Sequence, residues 1–227
     1  MKFTQTLVKD WPALLILLAP FVLLAIFWGR IPETVPTHWG IDGEADGFST
    51  KGASLFLLPL ISIGVYLLLV AVPYIDPKGK SASEQKAMRA FRWFIPLLMT
   101  AIFVMMLVQW LGTPVDIGTI VFIIMSVMFM VLGNYMQTLK PNYFVGLRTP
   151  WTLESEDIWR KTHRLGGRLW VAGGLVLLAL IYFFSARTYF VIYMVGVAVM
   201  AIVPMVYSFV LYLREKEEAT RNEGMKE

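Results

Sequence analysis

The sequence predicts an all-α integral membrane protein with six transmembrane helices and both termini in the cytoplasm. Three observations carry that reading. Of 227 residues, 57% are hydrophobic and only 16% charged, against about 25% charged in soluble domains. The apolar residues gather into runs of spanning length that contain no Asp, Glu, Lys or Arg. The connections between those runs share the basic residues unevenly, 17 of the 20 falling on one side.

Residues 11–28 form the first predicted span, with Trp11 and Trp28 at its ends where aromatic belts lie. Phe27-Trp28-Gly29-Arg30 offers no small-x-small cleavage site, so the run reads as a retained anchor rather than a signal peptide. A polar connection over 29–52 leads to the second span, 53–74, whose Pro59 and Gly64 are tolerated where neighbouring helices satisfy the backbone. Ser81 with Glu84 fits a capping box, which predicts a short amphipathic helix over 84–91 leading into the third span, 93–110. Gly112-Thr113-Pro114 is a tight turn before the fourth span, 117–139. A polar segment over 140–168 precedes the fifth span, 169–184, and a short turn at 185–188 precedes the sixth, 189–213. The charged tail over 214–227 is expected to fray into water.

The second loop (Lys78, Lys80, Lys86, Arg89, Arg92) and the fourth (Lys140, Arg148, Arg160, Lys161, Arg164, Arg168) hold most of the basic charge and are assigned to the cytoplasm. The net charge of +4 therefore sets topology, and no direct nucleic-acid binding is expected. Two regions follow: an N-terminal helical hairpin over 1–80 with an extracytoplasmic loop at 29–52, and a four-helix membrane domain over 81–227 with a cytoplasmic loop at 140–168.

Several chemistries are disfavoured. There is no cysteine, which removes thiolate nucleophiles, Cys-based zinc sites and lipoprotein attachment. His38 and His163 fall on opposite sides, so they do not share a metal or form an acid–base pair. No HExxH or GxSxG motif is present. The spans lack the ionisable groups that pumps and coupled carriers place in the membrane. Neither an enzyme nor a cofactor is expected.

The outer loop holds Asp42, Glu44, Asp46 and Gly47, matching the first half of a calcium loop. The position needing a bidentate Glu is Ala53, already entering a span, and His38 is a nitrogen ligand unsuited to calcium. The loop reads as a solvated turn with Trp39 and Phe48 at the interface, and no metal is assigned. In the inner segment, Thr152 is the expected N-cap of a helix that Gly166-Gly167 close. Glu156 with Arg160 and Asp157 with Lys161 have ion-pair spacing. A basic interfacial helix on anionic lipid would explain that part. It leaves unexplained the aromatic and polar run 142–149, which suggests a pocket-forming loop with Asn134 and Gln137 hydrogen-bonding to it.

Gly133-Asn134, Pro141-Asn142, the run from Gly146 through Leu153, Trp159 and Thr162-His163-Arg164 together resemble the signature of the SdpI family. Ile31-Pro32, the run Pro36-Thr37-His38-Trp39-Gly40 and Gly43-Glu44-Ala45-Asp46-Gly47 resemble the small uncharacterised domain often found ahead of it. The resemblance implies a multi-pass protein of the bacterial cell membrane giving immunity to a secreted toxin peptide of the SdpC type. It further implies a signal receptor that holds an ArsR-type autorepressor at the cytoplasmic face. The residues it marks for ligand or partner binding are Asn134, Asn142, Gly146, Arg148, Thr149, Pro150, Trp151, Trp159, His163 and Arg164. In the outer loop they are His38, Trp39, Asp42, Glu44 and Asp46. The alternative is a transporter or lipid-handling protein that uses the inner loop as a gate.

Overall fold

A chain segment in hydrocarbon must satisfy its own backbone, and the long uncharged runs do so as helices. The computed structural model describes residues 3–75 and 82–225. Their elements in order are α1 (Phe3–Lys9), α2 (Trp11–Phe27), β1 (Thr34–Trp39), β2 (Ala45–Thr50), α3 (Lys51–Ile75), α4 (Ala82–Trp110), α5 (Ile117–Met136), α6 (Pro150–Glu154), α7 (Glu156–Leu180) and α8 (Ala186–Gly224). Five helical stretches among the described residues are long and apolar enough to cross a membrane: Trp11–Arg30, Ser54–Ile75, Met88–Trp110, Ile117–Met136 and Ala186–Glu223. Their flanks carry large exposed apolar side chains such as Leu15, Val22, Leu57, Leu68, Val199 and Val206, as lipid-facing surfaces require.

The described residues fall into two compact units. The first takes in residues up to 75, 88–124 and 181–190; the second takes in 125–180, the stretch from 191 onward and the start of α4. In the first unit, one end is fixed by a buried ion pair. Arg92 Nε donates to Asp10 Oδ2 at 2.6 Å, Trp93 Nε1 donates to Asp10 Oδ1 at 3.3 Å, and the Tyr66 hydroxyl reaches Asp10 Oδ2 at 3.5 Å. Side chains of α3 and α4 thus meet on one carboxylate, which sits at the junction of α1 and α2. Ala13, Leu17, Tyr66 and Val70 pack beside it.

The connection expected to be a solvated turn is a β-hairpin. Antiparallel pairing sets Thr34 opposite Thr50 and Trp39 opposite Ala45, with irregular register on both sides of His38. Gly43, at φ 84°, closes the turn where a side chain would be strained. The base of the hairpin is held by burial: Ile31 and Val35 join Leu24, Leu55, Phe103, Leu107 and Trp110 in one core cluster. Trp110 Nε1 also donates to the Pro36 carbonyl at 3.0 Å. Lys51 lies over the Trp28 ring, 4.9 Å from its centroid.

The second unit packs through glycine. A methyl on Gly133 would lie 2.7 Å from Trp170 Cβ, one on Gly167 2.6 Å from the Gly133 carbonyl oxygen, and one on Gly174 2.7 Å from that of Ser126. These contacts run α5 and α7 antiparallel at a separation that only small residues permit. Trp170 Nε1 donates to the Met200 carbonyl at 3.0 Å, and Gly173 rests on the Met200 side chain, which ties α7 to α8.

Three further expectations change, and a fourth falls outside the described residues. The Ser81–Glu84 capping box lies outside the described residues, and α4 is one helix from Ala82 through the third span. The helix expected to end at Gly166-Gly167 continues to Leu180, because both glycines are buried against neighbouring helices and serve packing rather than termination. The fifth apolar run is helical only to Leu180, and 181–184 form a turn. Residues 169–180 alone would reach only about 18 Å, against a hydrocarbon core of about 30 Å. The charged tail stays helical to Gly224, with its side chains in solvent over 215–223.

Candidate functional site

The signature segment folds as a knot of side-chain-to-backbone bonds within the second unit. Asn142, buried, organises its first turn: Oδ1 accepts from the Phe144 and Val145 backbone at 3.0 and 2.7 Å, and Nδ2 donates to the carbonyls of Lys140 and Val145 at 2.9 and 3.0 Å. All four capacities of this amide are used, which fixes its orientation. Arg148 donates back to the Tyr143 carbonyl.

Thr149, rather than Thr152, is the N-cap. It forms a capping box with Thr152 at the third helical position, and Pro150 takes the first position, where its missing N–H costs nothing. Thr152 could also have been read as the third residue of that box, since Thr149-Pro150 is a strong start signal. Trp151 then reaches α8, donating from Nε1 to Ser208 Oγ at 2.8 Å and stacking on Tyr212 at 5.8 Å.

Trp159 and His163, one turn apart on α7, stack with ring centroids 4.0 Å apart. Trp159 Nε1 donates to the Leu139 carbonyl at 2.8 Å. His163 Nε2 accepts from the Leu147 backbone N–H at 3.0 Å, and Nδ1 faces the Trp159 carbonyl at 2.8 Å. Accepting at Nε2 requires the neutral Nδ1–H tautomer. Burial pushes the imidazole pKa down to about 4, the Trp159 carbonyl pulling the other way. Gly146 adopts φ 116° beside this pair, and a Cβ there would collide with His163 Nε2 and lie 3.2 Å from the Trp159 ring. The two rings and the glycine are one fitted object.

The structure therefore consumes Asn142, Thr149, Trp159 and His163 internally, while Trp151 is half-buried. Asn134, Arg148, Pro150 and Arg164 face solvent or lipid, joined by Tyr143, Phe144 and Arg160. Asn134 and Gln137 are exposed on α5, and Gln137 lies against Gly167. Asp157 binds both Lys161 and Arg160 at 2.5 Å, so Arg160 pairs at three residues' spacing rather than with Glu156.

In the first unit, the hairpin roofs a cavity of about 1290 Å³. His38, Trp39, Asp42, Glu44 and Asp46 all line it. His38 Nδ1 meets Asp46 Oδ1 at 2.5 Å, and Asp42 Oδ1 accepts from the Glu44 backbone at 3.3 Å. Residues that sequence reasoning missed complete the wall: Asp116, which caps α5 by accepting from Thr119 N at 3.0 Å, and Phe122, Tyr189 and Phe190. Phe122 packs edge-on against Tyr189 at 5.0 Å. The short connections at 111–116 and 181–185 gave no sign that they share one end with the hairpin.

Five apolar spanning helices and these two polar features define a multi-pass membrane protein. Residues 138–208 match the SdpI/YfhL protein family, and residues 15–63 match a domain of unknown function, DUF1648. The two matched stretches are similar to those models in the order in which the signature residues resemble them, the uncharacterised domain first. It is 26% identical over 197 residues to the immunity protein SdpI of Bacillus subtilis (strain 168), covering 86% of this chain and 91% of the relative. No solved structure matches.

Proposed function

We propose that this protein is a membrane immunity protein that protects its cell from a secreted toxin peptide of the SdpC type. The observation that carries the reading is the near full-length similarity to an immunity protein, which includes both the hairpin module and the signature knot. The chain acts by binding rather than by catalysis. It crosses the membrane six times with both termini in the cytoplasm, the amphipathic α7, packed between α5 and α8, supplying the fifth crossing. On that topology the hairpin cavity opens outside, where toxin arrives, and the knot lies inside.

The knot gives a rigid base from which Arg148, Arg164, Tyr143 and Phe144 project. An ArsR-type repressor held at the membrane would meet this surface, so toxin occupancy outside would be read as altered repressor retention inside. Deleting the gene and exposing the cells to the toxin peptide tests the immunity role. Increased killing is expected, and unchanged sensitivity would remove it. Fractionating a tagged repressor with and without toxin tests the receptor role separately.

A further inference from the structure

We propose that the hairpin cavity is a binding site for a cationic amphipathic segment of a peptide, which names the ligand chemistry within the immunity reading and rests on it. Four carboxylates line the cavity, Asp42, Glu44, Asp46 and Asp116, with His38 the one lining side chain able to carry positive charge. One of the four, Asp46, is engaged by His38, and the rest face no lysine or arginine among the lining residues. Such a field attracts Lys and Arg and repels an anionic lipid headgroup.

The rest of the wall is largely apolar, with Trp39, Phe122, Tyr189 and Phe190 among its aromatic residues. Rings of this kind accept aliphatic side chains and also cation faces. Negative rim and apolar, partly aromatic wall together fit the side chains of a cationic amphipathic peptide. The cavity volume is large enough for several residues, being above the usual range of about 300–1,000 Å³ for small-ligand sites.

The test uses the full chain in phosphatidylcholine nanodiscs and a fluorescent synthetic peptide of leucine and lysine, with a leucine–glutamate twin. The lysine peptide is expected to bind at least roughly tenfold more tightly than the twin, with affinity falling as salt rises. The triple variant Asp42→Asn, Glu44→Gln, Asp116→Asn keeps side-chain shape and the α5 cap, and should weaken binding by roughly tenfold and flatten the salt dependence. As a second variant, Phe190→Ala should weaken binding while leaving the salt slope intact. Equal affinity for both peptides, or unchanged binding in both variants, would overturn the proposal. So would displacement of the peptide by short-chain phosphatidylglycerol, which would assign the cavity to lipid. Cells carrying the triple variant separate the two readings. Loss of peptide binding with protection retained sinks the cavity's role alone, whereas binding without any protection by the native chain sinks the immunity reading.

Discussion

His163 Nε2 accepts a hydrogen bond from the backbone N–H of Leu147 at 3.0 Å, so a side chain of α7 closes the loop that precedes α6. This bond exists only while the imidazole is neutral. Protonation would replace the acceptor with a second donor facing Leu147 N–H.

A pH dependence follows, with its sign set by the folded pKa of about 4 against 6.5 for the free group. The pKa is depressed on folding, so the unfolded chain binds more protons between those values. Stability from this group is complete above about pH 6.5 and is lost as pH falls towards 4, by roughly 3 kcal/mol in all. Thermal unfolding in detergent at pH 7, 5.5 and 4 would show it. His163→Gln should lower stability at pH 7 and flatten the slope in that window.

Gly146→Ala should destabilise the knot by about 2 kcal/mol or more, since it combines a left-handed backbone with a collision against His163. Trp159 fluorescence would report the disturbance. An unchanged melting temperature would show that the loop can move away from the rings.

Asp10→Asn leaves Arg92 buried without its counter-charge and should cost about 3–5 kcal/mol. Replacing both residues together, Asp10→Asn with Arg92→Met, should cost less than the single change. Melting temperatures of the purified variants decide it, and equal losses in both would mean that burial of Arg92 is not the source.

Trp151→Phe keeps the stacking on Tyr212 but removes the bond to Ser208, for an expected loss of about 1 kcal/mol. Trp151→Ala removes both and should expose the α6 end to proteolysis between residues 140 and 156. Limited digestion of the two variants beside the native chain would separate tether from stack.

The helices were legible because hydrocarbon allows an uncharged run few other forms, whereas the α6 cap falls on Thr149 and not on the expected Thr152. The hairpin was not read, although Asp42-Gly43 between Thr- and Val-containing runs is a hairpin signal. Pro36, Gly47 and the three acids masked it, and the burial of Val35 that stabilises it depends on α4. Gly166-Gly167 misled for a related reason. Alone, the pair signals a helix end; beside Gly133 and Pro204 it is the condition for close packing. The signature residues could be located from sequence, but not the division of labour among them. Whether His163 faces a partner or Leu147 depends on a loop sixteen residues away.

The immunity claim is tested most directly by expressing the intact chain in a toxin-sensitive bacterium and measuring survival against dose of the secreted peptide. Protection at doses that kill the empty-vector strain, with the chain recovered in the membrane fraction, is the predicted result. Equal killing of both strains, with the chain folded and inserted, would contradict it.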